Sequence, residues 1–215
     1  MSENLLSSLN ESQKTAAQHI DGPMLILAGA GSGKTKTITT RLAYLISIGI
    51  DPRSILTLTF TNKAASQMRE RAFSMLDSSM INTPPLLCTF HKFGLLFLKF
   101  HMSELNRKNN FIIIDTDDKK RIIKSIDKEI TTSLLAAEIS KYKNSLLTPS
   151  EAKSAAQLKL YQQIADIYEK YEAYLEKNNL VDFDDLLLLP YRILSKNEKL
   201  ADEMSQKYQY IMVDE

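Results

Sequence analysis

The stretch "MLILAGAGSGKT", Met24 to Thr35, decides the fold. Its first half, Met24–Ala28, is continuously apolar, the pattern of a strand buried in a parallel sheet. Its second half, Ala28–Thr35, places Gly29, Gly31 and Gly33 at alternate positions. Glycines there let backbone N–H groups turn inward around an anion. The residues after Thr35 carry Ile38, Leu42, Leu45 and Ile46 on one helical face. A strand, a glycine-rich loop and a helix in that order are the setting a P-loop needs, with the helix N-terminus adding a favourable dipole. In such a loop Ala28, Gly29, Ala30, Gly31, Ser32 and Gly33 surround phosphate oxygens. Lys34 reaches the β- and γ-phosphates, and the Thr35 hydroxyl sits on magnesium. Ala28 stands where the motif usually begins with glycine. A glycine-rich turn without ligand is the bland alternative, and the strand–helix setting argues against it.

Outward from the loop, strands and helices alternate. "SILTLTF" (Ser54–Phe60) is rich in β-branched residues and reads as a second strand. Asn62 reads as the N-cap of a helix from Lys63 to about Leu76. "LLCTF" (Leu86–Phe90) follows the Pro84-Pro85 turn as a third strand, and a helix carrying Phe93, Leu96, Phe97 and Phe100 comes next. Repeated β-α-β units predict an α/β fold with a parallel sheet. After about His101 the pattern turns helical. "FIIID" (Phe111–Asp115) is a short strand or an extended lead-in to a helix. Tyr161, Ile164, Tyr168, Tyr171 and Leu175 recur at steps of three and four, the ordinary signal of a buried helix face. Pro149 and Pro190 mark boundaries or kinks. The final "YIMVDE" returns to the strand pattern. The expected architecture is an α/β lobe with a parallel sheet, residues 1–104 and 186–215, interrupted by a mostly helical insertion, 105–185.

"IMVDE", Ile211–Glu215, changes meaning once the loop is recognised. Alone, an Asp-Glu pair at a strand end is often a solvated terminus. Paired with a phosphate cradle, Asp214 becomes a magnesium partner, and Glu215 the general base that orients and deprotonates water.

Composition narrows the classes. The net charge is +1, so any nucleic-acid surface must come from local placement of charge. Residues 34–71 hold Lys34, Lys36, Arg41, Arg53, Lys63, Arg69 and Arg71 against Asp51 and Glu70. The single cysteine, Cys88, allows no disulfide within one chain, which fits a reducing cytosol. The start has no basic region followed by an apolar block. The apolar runs are far shorter than the ~20 residues of a membrane helix. Three scattered histidines and one cysteine make no metal site, so His91 is not read as a ligand.

One further set of motifs is more specific than the loop. Asn10 with Gln13, AGAGSGKT, "TFTNKAASQMRER" (Thr59–Arg71), "TFH" (Thr89–His91), "DFDDL" (Asp182–Leu186) and "VDE" occur in this order. The whole chain resembles the N-terminal portion of a UvrD/Rep/PcrA-type helicase of superfamily 1. The resemblance implies a RecA-like P-loop NTPase lobe with a helical insertion. It also implies ATP and Mg2+ as cofactors and a parent that moves 3′ to 5′ on single-stranded DNA. Gln13 would contact adenine, and its amide can both donate to and accept from that base's edge. Phe60, Asn62, Thr89, Phe90, His91 and Phe183 would lie along the single strand, where aromatic rings stack on any base. Without the resemblance, Phe60 and Phe90 read as core residues at strand ends. Lys36 stands where relatives place an arginine over the adenine, and Lys92 where they commonly place serine. The second RecA-like lobe, with its arginine, is missing from this sequence. The chain is therefore expected to be a cytoplasmic, monomeric part of a longer motor, binding ATP weakly and hydrolysing it poorly. A non-catalytic DNA-binding or docking module, or another P-loop NTPase, is the alternative.

Overall fold

A computed structural model describes residues 5–77 and 83–214. In chain order the elements are α1 (Glu11–Gln18), α2 (Lys34–Ser47), β1 (Ile55–Thr59), α3 (Asn62–Ser74), β2 (Leu86–Thr89) and α4 (Phe90–His101). Then come β3 (Ile112–Ile113), α5 (Thr116–Ile126), α6 (Thr132–Asn144), α7 (Pro149–Ala155) and α8 (Lys159–Lys177). The chain closes with β4 (Leu180–Val181), α9 (Asp185–Lys196), α10 (Glu198–Lys207) and β5 (Tyr210–Asp214). It folds as two compact units, residues 1–90 with 199–215 and residues 91–198. Residues 105–185 all lie in the second unit, together with all of α9 and all of α4 but Phe90.

The first unit is built on a three-stranded parallel sheet in the order β2-β1-β5. β1 is buried along its whole length, as its run of β-branched and apolar residues predicts. The register aligns Thr59 with Thr89 on one side and Asp214 on the other, so the three motifs end in a row at the carboxyl edge. Open α/β sheets place ligands at that edge. Ile38, Leu42, Leu45 and Ile46 of α2 pack with Ala65, Met68 and Ala72 of α3 over Ile55, Leu87 and Met212.

One expected strand does not form. Met24–Ala28 runs without strand pairing, and Leu25 and Leu27 are 81% and 85% exposed. A cavity of about 390 Å3 is lined both by Met24, Leu25 and Ile26 and by Ile211–Asp214 of β5. A continuously apolar run is a strand signal only when both faces are covered. Ile211 and Val213 are themselves exposed, so the described residues supply no apolar layer over this run, and pairing would bury little. Two boundaries also shift. Thr61 rather than Asn62 caps α3, its hydroxyl accepting from the Ala64 N–H at 3.1 Å, and the helix ends at Ser74. Phe90 opens α4 instead of closing β2. Either residue of a Thr-Asn pair can cap, and the sequence does not choose between them.

The second unit is a helical cluster with one short parallel pair, β3 with β4. "FIIID" thus supplies both alternatives, a strand at Ile112–Ile113 and then Asp115, whose carboxylate caps α5 at the Asp118 N–H. Ile164, Tyr168, Tyr171 and Leu175 of α8 are buried together with Ile123, Leu135 and Ile139, and Tyr161 packs against them. Pro149 opens α7 at its first turn, while Pro190 lies inside α9. Gly94 of α4 lies so close to α9 that an added Cβ would sit 1.7 Å from the Leu186 carbonyl oxygen. Only glycine fits there, and that contact ties the helix after TFH to the helix after DFDD within this unit.

Candidate functional site

The loop before α2 is shaped as a cradle. Gly31 and Gly33 have φ of 74° and 89°, a left-handed conformation that side-chain-bearing residues resist. Cβ atoms added at Gly29 or Gly31 would meet nothing within 4 Å, so the space beside these two glycines is open. Gly33 stands at the N-cap of α2 with no side-chain cap, which leaves the first-turn N–H groups to an anion. Ser32 Oγ donates to the Gly29 carbonyl at 2.6 Å and closes the turn. Lys34 Nζ is held against the loop's own carbonyls, 2.8 Å from Ala28 and 3.0 Å from Gly29. Ala28, Ala30 and the three loop residues after it form one exposed to half-buried arc.

The loop reaches the far end of the chain. Thr35 Oγ1 donates to Asp214 Oδ2 at 3.0 Å, across 179 residues. A hydroxyl and a carboxylate brought together beside a phosphate cradle are the hard oxygen donors that magnesium takes, usually with several waters. These residues fit MgATP. When bound, magnesium supplies charge neutralisation between phosphate oxygens. The chain's own contribution is to hold Thr35 on a helix and Asp214 on a strand at a fixed separation. Glu215, the expected base, lies outside the described residues.

Gln13 is placed at the loop, with both ends of its amide engaged. Its Oε1 accepts from the Asn10 N–H at 3.0 Å in a capping box, and Nε2 donates to the Ser32 carbonyl at 3.0 Å. One N–H and one lone pair stay open to a base. Lys36 Nζ donates to the Ser8 carbonyl at 2.5 Å. Much of the basic excess in residues 34–71 is likewise structural. Arg41 bonds the Ala16 and His19 carbonyls, Arg53 pairs with Asp51, and Arg69 donates to the Leu87 carbonyl at 2.6 Å. Lys63 and Arg71 remain exposed on α3.

The residues expected along DNA fall in both units. In the first, Phe60 is 60% exposed and its ring centroid lies 5.2 Å from that of half-buried Phe90. Asn62 is exposed at the first position of α3, and Thr89 is buried at the end of β2. Phe60 is therefore not a core residue. In the second unit, Phe183 is 60% exposed and its ring lies 5.0 Å from His91.

Around Phe183 lies a network that sequence reasoning misses. Lys143 is fully buried, with Nζ 2.7 Å from Asp185, 2.7 Å from Glu172 and 3.1 Å from Asp182. Lys119 Nζ is 2.7 Å from Asp184 and 3.2 Å from Asp182. Tyr171 donates its hydroxyl to Asp182 at 3.0 Å. Burial opposes the charge on Lys143, but Asp185, Glu172 and Asp182 outweigh it and keep the ammonium protonated well above the lysine range. Burial also pushes against Asp182, yet Lys143 and Lys119 bring it down to about 2. At Asp185 burial wins, with Asp182 and Glu172 adding like-charge repulsion, and the carboxyl is pushed up to about 7. The two aspartates therefore act oppositely on stability. Asp182 contributes above its ordinary value of 3.8, and the contribution is lost as pH falls toward 2. The Asp185 contribution is present at low pH and is lost as pH rises through about 7. A signal for the network is present in the sequence. Lys143 stands four residues after Ile139, which stands four after Leu135, so the lysine lies on the apolar stripe of α6.

The comparisons with known proteins agree with these motifs. The family model of the UvrD/REP helicase N-terminal domain matches residues 9–215. The chain is 41% identical to a probable DNA helicase II homolog of Mycoplasma capricolum over 225 aligned residues, 99% of this chain and 31% of the relative. It is 38% identical to the ATP-dependent DNA helicase Rep of Escherichia coli, over 96% of this chain and 32% of that protein. It is 37% identical to the ATP-dependent DNA helicase PcrA of Bacillus subtilis, over 100% of this chain and 30% of that protein. The chain thus spans about a third of the length of these curated relatives.

Proposed function

The chain belongs to the UvrD/Rep helicase family, and we propose that it is the N-terminal ATP-binding part of a 3′–5′ helicase or translocase on single-stranded DNA. The observation that carries the nucleotide reading is the 3.0 Å hydrogen bond from Thr35 to Asp214 beside the P-loop. In this reading Lys34 and the loop N–H groups hold the β- and γ-phosphates, and Thr35 with Asp214 hold magnesium. Gln13 and Lys36 lie toward the base, and Glu215 orients the attacking water. Residues 1–104 and 186–215 form the RecA-like lobe, with 105–185 as its insertion. Phe60, Asn62, Thr89, Phe90, His91 and Phe183 receive the single strand, stacking on bases and bonding phosphates. The exposure of Phe60 and Phe183 supports that part. Among the described residues no helix is long and apolar enough to cross a membrane, and we place the protein in the cytoplasm.

A second RecA-like lobe would supply an arginine at the transferred phosphate. Lacking it, the isolated chain is expected to hydrolyse ATP about 10³–10⁵-fold more slowly than the whole motor. The test is steady-state ATP hydrolysis by the full-length protein and by this chain, each with and without oligothymidylate. The reading requires DNA-stimulated turnover in the former and near-background turnover in the latter. Turnover that ignores DNA in the full-length protein would instead favour another P-loop NTPase. DNA binding that survives Lys34→Ala without any nucleotide binding by the wild type would favour a docking module.

A further inference from the structure

The turn Asp182-Phe183-Asp184-Asp185 is anchored far more heavily than a short loop requires. Asp182 and Asp185 cap one another, each N–H donating to the other's carboxylate at 3.2 and 3.0 Å. Lys143 then ties both aspartates to α6, and Tyr171 ties Asp182 to α8. On the other flank of Phe183, Asp184 accepts from Lys119 at 2.7 Å, from Ser140 at 2.6 Å and from Asn144 at 3.1 Å. Three helices thus grip the backbone on both sides of one exposed ring, and that ring meets His91 at 5.0 Å. Stability alone does not account for this. Buried ion pairs are often no better than well-packed apolar residues of the same volume. What they give here is geometry, because each partner has a defined direction and the two carboxylates beside Phe183 cannot shift without breaking several bonds.

We propose that Lys119 and Lys143 are positioning residues that hold the Phe183 ring beside His91 as a fixed platform for a base of single-stranded DNA. The inference rests on the reading that Phe183 contacts the strand. The lysines themselves do not contact DNA: Lys143 is buried, and Lys119 is nearly so. They act through the orientation of one side chain, which lowers the ordering cost when a base stacks on it.

The chain contains no tryptophan, so Phe183→Trp gives a single reporter at the platform. Two measurements on the full chain test the proposal. The first is the affinity for oligothymidylate of the wild type, Phe183→Ala, Lys119→Met and the double variant, with melting curves as control. Phe183→Ala is expected to weaken binding about 5- to 150-fold, the loss of one stacked base. Lys119→Met should weaken it several-fold and add nothing once Phe183 is gone. Lys119 is the better target because Asp184 keeps Ser140 and Asn144, and Asp182 keeps Lys143. The second measurement is the anisotropy of tryptophan emission from Phe183→Trp without DNA, expected to fall when Lys119→Met or Ser140→Ala is added.

The outcomes separate. If Phe183→Ala leaves binding unchanged, or the wild type does not bind, the reading of Phe183 as a DNA contact fails. If Phe183→Ala weakens binding but the Lys119 effect is absent or additive, the lysine works elsewhere and the positioning role alone is overturned. Should Lys119→Met unfold the unit, Ser140→Ala carries the same cycle, since its hydroxyl bonds both Lys119 and Asp184. Unchanged tryptophan anisotropy when Ser140→Ala is added to Phe183→Trp overturns the proposal.

Discussion

Lys143→Ala is expected to destabilise the helical unit by about 3–5 kcal/mol, the usual cost of leaving buried charge without its partner. Its ammonium is the shared counter-charge of Asp182, Asp185 and Glu172. Removing it leaves Asp182 with Lys119 at 3.2 Å and Glu172 with Arg192 at 3.9 Å, and Asp185 loses its 2.7 Å counter-charge. The void adds to the loss, because Lys143 is among the largest fully buried side chains. Lys143→Met separates the two effects, since it fills the space and removes only the charge. Urea unfolding followed by circular dichroism measures both. Most of the loss should persist in Lys143→Met. A loss below about 1 kcal/mol in Lys143→Ala would mean that the carboxylates are satisfied without the lysine.

Lys34→Ala is expected to act in the opposite way, on binding and hardly on stability. Among the described residues Lys34 Nζ bonds the Ala28 and Gly29 carbonyls of an exposed loop, and water can replace it there. The free energy of unfolding should therefore change by no more than about 0.5 kcal/mol, as for surface changes generally. In the proposed site the same ammonium would make charge-assisted hydrogen bonds to a triphosphate, worth about 1.5–3 kcal/mol. The dissociation constant for ATP should rise about 10- to 150-fold. Fluorescence titration with a labelled ATP analogue measures it. Equal affinity in the variant would remove Lys34 from the phosphate site.

The parts of this molecule legible in the sequence are those written in local patterns. The glycine spacing from Gly29 to Gly33, the buried face of α8 and the β-branched run of β1 each use neighbours within a few residues. They are found where that spacing places them. The expected strand at Met24–Ala28 shows where local pattern stops deciding. An apolar run states what a segment can bury, and whether it pairs depends on a layer to cover it. The network around Phe183 is hidden for a different reason. Its bonds from Tyr171, Lys143, Asn144 and Lys119 to the turn span 11 to 65 positions, and a lysine or aspartate is read first as a solvated residue. Lys143 on the Leu135–Ile139 stripe is the one local hint. Tyr171 reads as core and is core, but its hydroxyl also serves Asp182, a role that apolar periodicity does not express.

The most direct test of the nucleotide site is calorimetric titration of this chain with ATP, once with magnesium and once with a chelator. Saturable binding that weakens when magnesium is removed is expected, because Thr35 and Asp214 stand 3.0 Å apart beside the cradle. Binding should weaken in the same way for Asp214→Asn with magnesium present. Absence of binding, or binding indifferent both to magnesium and to Asp214, would contradict the assignment.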